Sequence, residues 1–150
     1  MSIGIEKIDT HEGVTVKVLL DSGTTGMFMD KRTAAKYRFR LQKLERPIMV
    51  RNVNRTNNSG GAITHQVEAN VYYKGHVERM RMDVCNLGKT EVILGMLWLQ
   101  AHNLEINWET REVKMTRCLS LCGRTRPRGV KKKKKIATLE EEKNCQMGNQ

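Results

Sequence analysis

The stretch that decides the fold is residues 14–30, VTVKVLLDSGTTGMFMD. Its first half alternates apolar and polar residues, and because successive side chains of a β-strand point to opposite faces, its valines share one face. The strand ends at Asp21, Ser22 and Gly23, and all three residue types favour turns. The pattern predicts that Asp21 lies at the edge of a core. By itself it leaves open whether these three residues form only a turn.

Length and composition are typical of one domain with a tail. A chain of 150 residues can bury a core but is too short for two full lobes. The opening residues MSIGIEKIDTHEG lack the layout of a signal peptide, and no apolar run reaches the ~18 residues that span a bilayer. We therefore expect an intracellular protein, cytoplasmic or nuclear, with free thiols and no membrane partner.

Further strands and a short helix follow the opening stretch. Residues 30–39, DKRTAAKYRF, predict a helix with Asp30 as its N-cap, and Pro47 introduces an extended run. The Asn- and Gly-rich segment 54–64 separates that run from a second alternating run, which predicts a β-hairpin. Alternating methionines in the next strand indicate core packing.

The second helix follows the buried segment Ile93-Leu94-Gly95. Its periodicity predicts that Leu97, Trp98 and Ala101 face inward. Residues 106–115, INWETREVKM, then predict a closing hairpin. The predicted fold is therefore mostly β with two short helices.

Residues 117–150 form a basic tail. They hold ten Lys or Arg against three Glu, and so carry most of the net charge of +11. Too little apolar surface is present there to offset the entropy of ordering, so we predict a disordered tail or polyprotein linker. The run Lys131–Lys135 would bind nucleic acid weakly through phosphate contacts, or would serve as a nuclear localisation signal.

The sequence favours neither a metal site nor a Ser or Cys nucleophile. The four histidines show no ligand spacing, and Cys118 and Cys122 form a C-x₃-C motif without a second pair. Cys85 lies in an alternating apolar run, and no G-x-S-x-G turn is present. We therefore predict no metal and no cofactor, which leaves Asp21 as the candidate for chemistry.

The order of these elements resembles the retropepsin family of aspartic proteases, and most closely the protease of gypsy-type LTR retrotransposon polyproteins. The shared features are Asp-Ser-Gly after a strand, a Gly-tipped hairpin, and Ile93-Leu94-Gly95 before a helix and EINWETREVKM. The resemblance implies an N-terminal extension at 1–12, a protease domain at 13–116 and the tail at 117–150. It also implies an all-β fold, a closed β-barrel with a flap hairpin and one or two short helices, completed as a homodimer.

The resemblance also implies roles for the residues of the first loop. Asp21 would be the catalytic acid, Ser22 would tie two active-site loops together, and Gly23 would allow close backbone approach. Many retroviral members have Ala at the next position, whereas this chain has Thr24, whose hydroxyl would donate to the outer oxygen of Asp21.

Two further segments receive roles from the same resemblance. Asn54, Arg55 and Thr56 would lie in the flap that closes over a polypeptide substrate. The three residues Ile93, Leu94 and Gly95 would pack behind the Asp loop as scaffold rather than take part in the chemistry.

The implied reaction requires a second carboxylate. An aspartic protease uses two carboxylates roughly 3 Å apart that share one proton, because like charges so close cannot both ionise. The chain has a single Asp-Ser-Gly, so the second carboxylate would be Asp21 of another copy across a two-fold axis. The sequence therefore predicts a homodimeric aspartic endopeptidase that processes a retrotransposon polyprotein.

A function from another class stays open. The chain would then be a non-catalytic, dimerising retropepsin-like module with a nucleic-acid-binding tail. The intact triplet beginning at Asp21 favours the enzyme, since a module without catalysis has no chemical need of the acid.

Overall fold

The structure, a computed structural model, describes residues 1–50, 61–118 and 122. In that part of the chain, nine strands and two short helices follow one another: β1 (Ser2–Lys7), β2 (Gly13–Leu20), β3 (Met27–Asp30), α1 (Lys31–Lys36), β4 (Leu41–Ile48), β5 (Ile63–Tyr73), β6 (His76–Cys85), β7 (Val92–Leu94), α2 (Met96–His102), β8 (Glu105–Asn107) and β9 (Glu112–Lys114). The tip of the predicted flap and nearly all of the predicted tail lie outside these residues.

Six of the strands close into a barrel. They are hydrogen-bonded in the order β1-β2-β7-β3-β6-β5, and β5 also pairs with β1, which closes the sheet; β4 extends it beyond β5. Strands β8 and β9 form a separate hairpin. The predicted all-β closed barrel with two short helices is confirmed.

The barrel interior is filled by the alternating side chains of its strands. Met29, Met82 and Leu94 are fully buried, as the alternation of apolar residues predicts. Burial of this apolar surface is the main favourable contribution to folding.

Strand β1 is part of the barrel, whereas the sequence predicts an extension up to residue 12. It pairs antiparallel with both β2 and β5, and Ile3 and Ile5 are buried in the core. The barrel therefore begins at residue 2. Two alternating isoleucines within six residues are too short a pattern to distinguish a buried strand from a solvated segment.

The pairing of β2, β7 and β3 sets the position of the loop after β2. Strands β2 and β7 are parallel, with Leu20 opposite Leu94, and β7 is antiparallel to β3. Because β2 and β7 run in the same direction, the residues that follow them, Asp21 and Gly95, emerge at the same end of the barrel. The topology thus brings together two motifs that are far apart in sequence.

Helix α1 begins as predicted. Asp30 accepts hydrogen bonds from the backbone N–H of Arg32 and of Leu87. It is 3 % exposed and caps the helix. Asp30 therefore ties α1 to the loop after β6.

The hairpins agree with the sequence except at Pro47. Strands β5 and β6 are joined by Lys74 and Gly75, both with positive φ, as a two-residue hairpin turn requires. The extended run was expected to start at Pro47, but β4 already begins at Leu41 and Pro47 lies near its end. The register of the pairing between β4 and β5 shifts between Lys43 and Ile48. Proline has no backbone N–H to donate to the sheet, and a bulge on an edge strand does not require one.

Helix α2 buries Trp98 as predicted, but the rest of its inward face differs from the prediction. Trp98 and His102 are buried, whereas Leu97 is 56 % exposed and Ala101 is also exposed. Residues four apart share one face of a helix, so the inward face follows the pair Trp98 and His102. Over the part of the chain that the structure describes, no helix is long and apolar enough to cross a membrane.

Candidate active site

The Asp21 carboxylate is held by its own loop. The backbone N–H of Gly23 donates to Oδ1 at 2.9 Å, and the hydroxyl of Thr24 donates to Oδ2 at 2.6 Å. The N–H of Thr24 also bonds to the Asp21 carbonyl at 3.2 Å. Each carboxylate oxygen therefore has a donor, and the predicted hydrogen bond from Thr24 is present.

These hydrogen bonds favour the ionised form of Asp21. The hydroxyl of Thr24 contributes most, followed by the N–H of Gly23, and together they lower the pKa of Asp21 below its ordinary value. Burial has the opposite effect on this pKa and is outweighed. In a single chain, Asp21 is therefore a carboxylate with a lowered pKa at the surface of the barrel.

The first turn of α2 holds the Asp21 loop from behind. The backbone N–H groups of Met96 and Leu97 donate to the carbonyls of Thr24 and Thr25 at 2.6 and 3.0 Å. The first N–H groups of a helix have no partner inside the helix, so the loop carbonyls satisfy them. The Asp21 N–H in turn donates to the Leu94 carbonyl at 3.1 Å.

Gly95 is the closest point of this contact. Its N–H donates to the Gly26 carbonyl at 2.9 Å. A Cβ atom at position 95 would overlap the carbonyl oxygens of Thr24 and Gly26. Only glycine therefore allows α2 and the Asp21 loop to approach this closely.

The structure brings together most of the predicted site residues. Leu94 and Gly95 contact the Asp21 loop as described, and Ile93 pairs with Leu19 and Phe28 inside the sheet. Ser22 and Gly23 are exposed at the tip of the loop. The flap residues Asn54, Arg55 and Thr56 lie outside the described residues.

A second cluster of reactive side chains lies at the other end of α2, and the sequence interpretation discounted it. His76, His102, Cys118 and Cys122 place one nitrogen or sulfur atom each within 4.8 Å of the others. The prediction that the histidines are not paired with cysteines as metal ligands is therefore wrong, because the fold brings these distant residues together. Two members of the cluster, Cys118 and Cys122, lie beyond residue 117, where the tail was predicted to start.

One carboxylate, Glu78, faces both histidines of this cluster. Its oxygens lie 3.1 and 3.5 Å from Nε2 of His102 and His76, and it accepts a hydrogen bond from the Trp98 indole at 2.5 Å. Burial would raise the pKa of Glu78, but these three partners outweigh it and lower the pKa to about 2. Glu78 is therefore ionised at neutral pH.

The thiol of Cys122 is in a different electrostatic environment. Burial, followed by the hydrogen bond with Cys118, raises the pKa of Cys122 to about 12. Without a neighbouring cation, the Cys122 thiol therefore keeps its proton at neutral pH. The C-x₃-C motif was the only signal of this cluster in the sequence.

Comparisons with known proteins find one family model and several solved structures that are similar to this chain. The family model described as "PEG10/RTL1 protease domain" matches residues 17–122. The retroviral protease-like domain of Ddi1 from Leishmania major is 18 % identical, with a TM-score of 0.49 over 78 % of this chain and 87 % of that chain. The EIAV protease, in complex with the inhibitor HBY-793, is also 18 % identical, with a TM-score of 0.45 over 71 % of this chain and 89 % of that chain.

Proposed function

The chain belongs to the PEG10/RTL1 protease domain family and has a retropepsin-like fold, and from that premise we propose that it is an aspartic endopeptidase. The observation that carries the proposal is the Asp21 carboxylate, which receives one hydrogen bond on each oxygen from Gly23 and Thr24. Its loop is in turn held by the backbone of α2. Such preorganised positioning is what acid–base catalysis needs.

The second carboxylate would come from another copy of the chain. The hydrogen bonds of Asp21 come from its own loop, and that loop is exposed at Ser22 and Gly23. Large apolar side chains beside the loop are also exposed, namely Leu19 at 48 % and Leu97 at 56 %. A two-fold copy would cover this surface and bring two Asp21 side chains together, with Ser22 linking the loops.

The proposed dyad works through one shared proton. One Asp21 is ionised and takes a proton from water, which attacks the peptide carbonyl. The other Asp21 is protonated and donates to the oxygen on which negative charge develops. Lowering of the Asp21 pKa by Thr24 favours the ionised member.

The substrate class we propose is an extended polypeptide, as in polyprotein processing. Strand β4 lies at the edge of the sheet and leads to the predicted flap. Near its end, Ile48 is 43 % exposed and Met49 is 58 % exposed. These side chains offer apolar surface to a peptide held between the flap hairpin and the Asp21 loop.

The direct test is the substitution Asp21→Asn, assayed with a peptide library at acidic and neutral pH. We expect a loss of at least about 10²–10⁴-fold in kcat/KM, the usual contribution of a general acid–base group. Circular dichroism and sedimentation should show an unchanged fold and association state. Full activity in a folded Asp21→Asn variant would refute the assignment.

The two-chain site is tested separately by dilution of the wild-type protein. The fraction of dimer falls with concentration by mass action, so specific activity should fall in parallel. Specific activity that stays constant where sedimentation shows only monomer would contradict a shared dyad. A wild-type chain that dimerises but cleaves no peptide under any condition would instead support the non-catalytic dimerising module.

A further inference from the structure

The nitrogen and sulfur atoms of the second cluster lie at the separations of metal ligands. Cys118 Sγ lies 3.0 Å from Nδ1 of His102 and 3.5 Å from Nδ1 of His76. Cys122 Sγ lies 3.7 Å from Nδ1 of His102. With Zn–S near 2.3 Å and Zn–N near 2.0–2.1 Å, a tetrahedral site places its nitrogen and sulfur atoms about 3.5 Å apart.

Glu78 leaves Nδ1 as the nitrogen of His102 that is free to bind a cation. It faces Nε2 of both histidines and is within hydrogen-bond distance of Nε2 of His102, at 3.2 Å. A proton on that Nε2 leaves Nδ1 of His102 with a free lone pair, and Nδ1 of each ring faces the sulfur of Cys118. Histidines that bind metals commonly donate their other N–H to a carboxylate in this way. Trp98 donates to the same carboxylate and fixes its position.

The cluster is enclosed within the fold. His76 is 6 % exposed and His102 is 2 % exposed, and their rings meet edge to face with centroids 4.7 Å apart. Cys118 and Cys122 are half-buried and are free thiols rather than a disulfide. Nε2 of His76 is buried without a hydrogen bond among the described residues, although Glu78 lies 3.5 Å away. A small shift of that ring toward a cation at Nδ1 is therefore opposed by no hydrogen bond at Nε2.

We infer that His76, His102, Cys118 and Cys122 form a structural Zn²⁺ site. Two thiolates and two imidazoles are a ligand set that zinc takes in four-coordinate structural sites, and thiolate ligands disfavour Mg²⁺ and Ca²⁺. Four protein ligands leave no open position for a water or a substrate. The site is therefore closed, and it is distinct from the proposed chemistry at Asp21.

The site joins three parts of the chain. His76 begins β6, His102 ends α2, and the two cysteines lie beyond β9. Binding of Zn²⁺ replaces the proton of each protonated thiol, and these protons pass to solvent without any oxidation or reduction. The bound ion attaches Cys118 and Cys122 to the barrel.

The test is the zinc content of the full chain, purified under reducing conditions without chelator and measured by inductively coupled plasma mass spectrometry. We expect one zinc per chain. We also expect Co²⁺ added to the metal-free chain to give the absorption of tetrahedral thiolate-bound cobalt. A reduced, folded wild-type chain that holds no zinc and gives no such cobalt spectrum would overturn the site, as would a Cys118–Cys122 disulfide in the purified protein.

Matched variants show whether these residues hold the ion. The double variant Cys118→Ser/Cys122→Ser should lose the zinc, while Cys85→Ser, which removes a half-buried thiol outside the cluster, should keep it. Glu78→Gln should retain the four ligands but bind zinc about 10–100-fold more weakly. Circular dichroism of each variant separates loss of the ion from loss of the fold. Equal zinc content in the double cysteine variant and in wild type would place the ion elsewhere and refute the inference.

Discussion

The two ends of helix α2 contact two sites of different construction. At its N-terminal end, backbone N–H groups of Met96 and Leu97 hold the carbonyls of the Asp21 loop. At its C-terminal end, the side chain of His102 lies among one histidine and two cysteines. One end therefore depends on close backbone approach, whereas the other depends on the identity of side chains from distant parts of the chain.

Among changes at the two ends of α2, we expect the largest effect from Gly95→Ala, which disturbs the N-terminal end. The added Cβ would overlap the carbonyl oxygens of Thr24 and Gly26, which are backbone atoms and cannot turn aside. Such overpacking costs about 1–3 kcal/mol of unfolding free energy. Displacing the loop by about 1 Å should also lower kcat/KM by about 10²-fold. Urea unfolding and peptide hydrolysis measure the two effects.

Gly4→Ala is the matched control for this substitution. Gly4 lies in β1, where an added Cβ would be 3.5 Å from the Cβ of Tyr72, an ordinary contact. We expect little change in activity. If Gly95→Ala kept wild-type stability and activity, close backbone approach at this end of α2 would not matter.

The difference between the two ends also explains what the sequence could predict. The Asp21 loop and Ile93-Leu94-Gly95 are contiguous motifs, each attached to a strand, so the local pattern predicts the strands, and the order of the motifs along the chain carries the family resemblance that implies their roles. The parallel pairing of β2 with β7 then places them side by side. The combination of the motifs, rather than either motif alone, therefore pointed to this site.

Apart from the C-x₃-C spacing of Cys118 and Cys122, the four side chains of the zinc site carry no such local signal. They are spread from residue 76 to residue 122 over β6, α2 and the segment after β9. Their proximity depends on the closed barrel and on the inward face of α2. The sequence predicted Leu97 on that face, whereas the buried residue after Trp98 is His102, which pairs with Glu78. That His102 is buried opposite a carboxylate can be recognised only from the three-dimensional structure.

A smaller effect on activity is expected when zinc is removed with a chelator, although the loss of stability should be comparable to that of Gly95→Ala. Free zinc at about 100 times its Kd adds about 2.7 kcal/mol to the unfolding free energy. Its removal should therefore lower the melting temperature by on the order of 10 °C. At temperatures where the metal-free chain stays folded, activity per dimer should not change, because the Asp21 loop is held by the opposite end of α2.

Cys85→Ser is the control for this experiment, since its melting temperature should fall on chelation as much as that of wild type. Differential scanning calorimetry with and without zinc, beside the peptide assay, separates stability from catalysis. Loss of activity in a folded, zinc-free dimer would show that the two ends of α2 are coupled.

The smallest effect is expected for Thr24→Ala, and it concerns pH rather than rate. The Thr24 hydroxyl donates to Oδ2 of Asp21 at 2.6 Å and is the main cause of the lowered pKa of Asp21. A donor to the ionised carboxylate stabilises that form, so its removal raises the pKa. The acid limb of kcat/KM should therefore move to higher pH in Thr24→Ala.

Thr24→Ser is the matched variant, because it keeps the hydroxyl and removes only the methyl group. Its acid limb should stay at the wild-type position. The apparent pKa values belong to the pair of carboxylates rather than to one residue, so all three proteins should be compared as covalently linked dimers. The link also prevents dissociation of the dimer from imitating a titration. A uniformly lower rate in Thr24→Ala, with the acid limb at its wild-type pH, would show that Thr24 only braces the loop. The backbone carbonyl of Thr24 already accepts a hydrogen bond from the N–H of Met96.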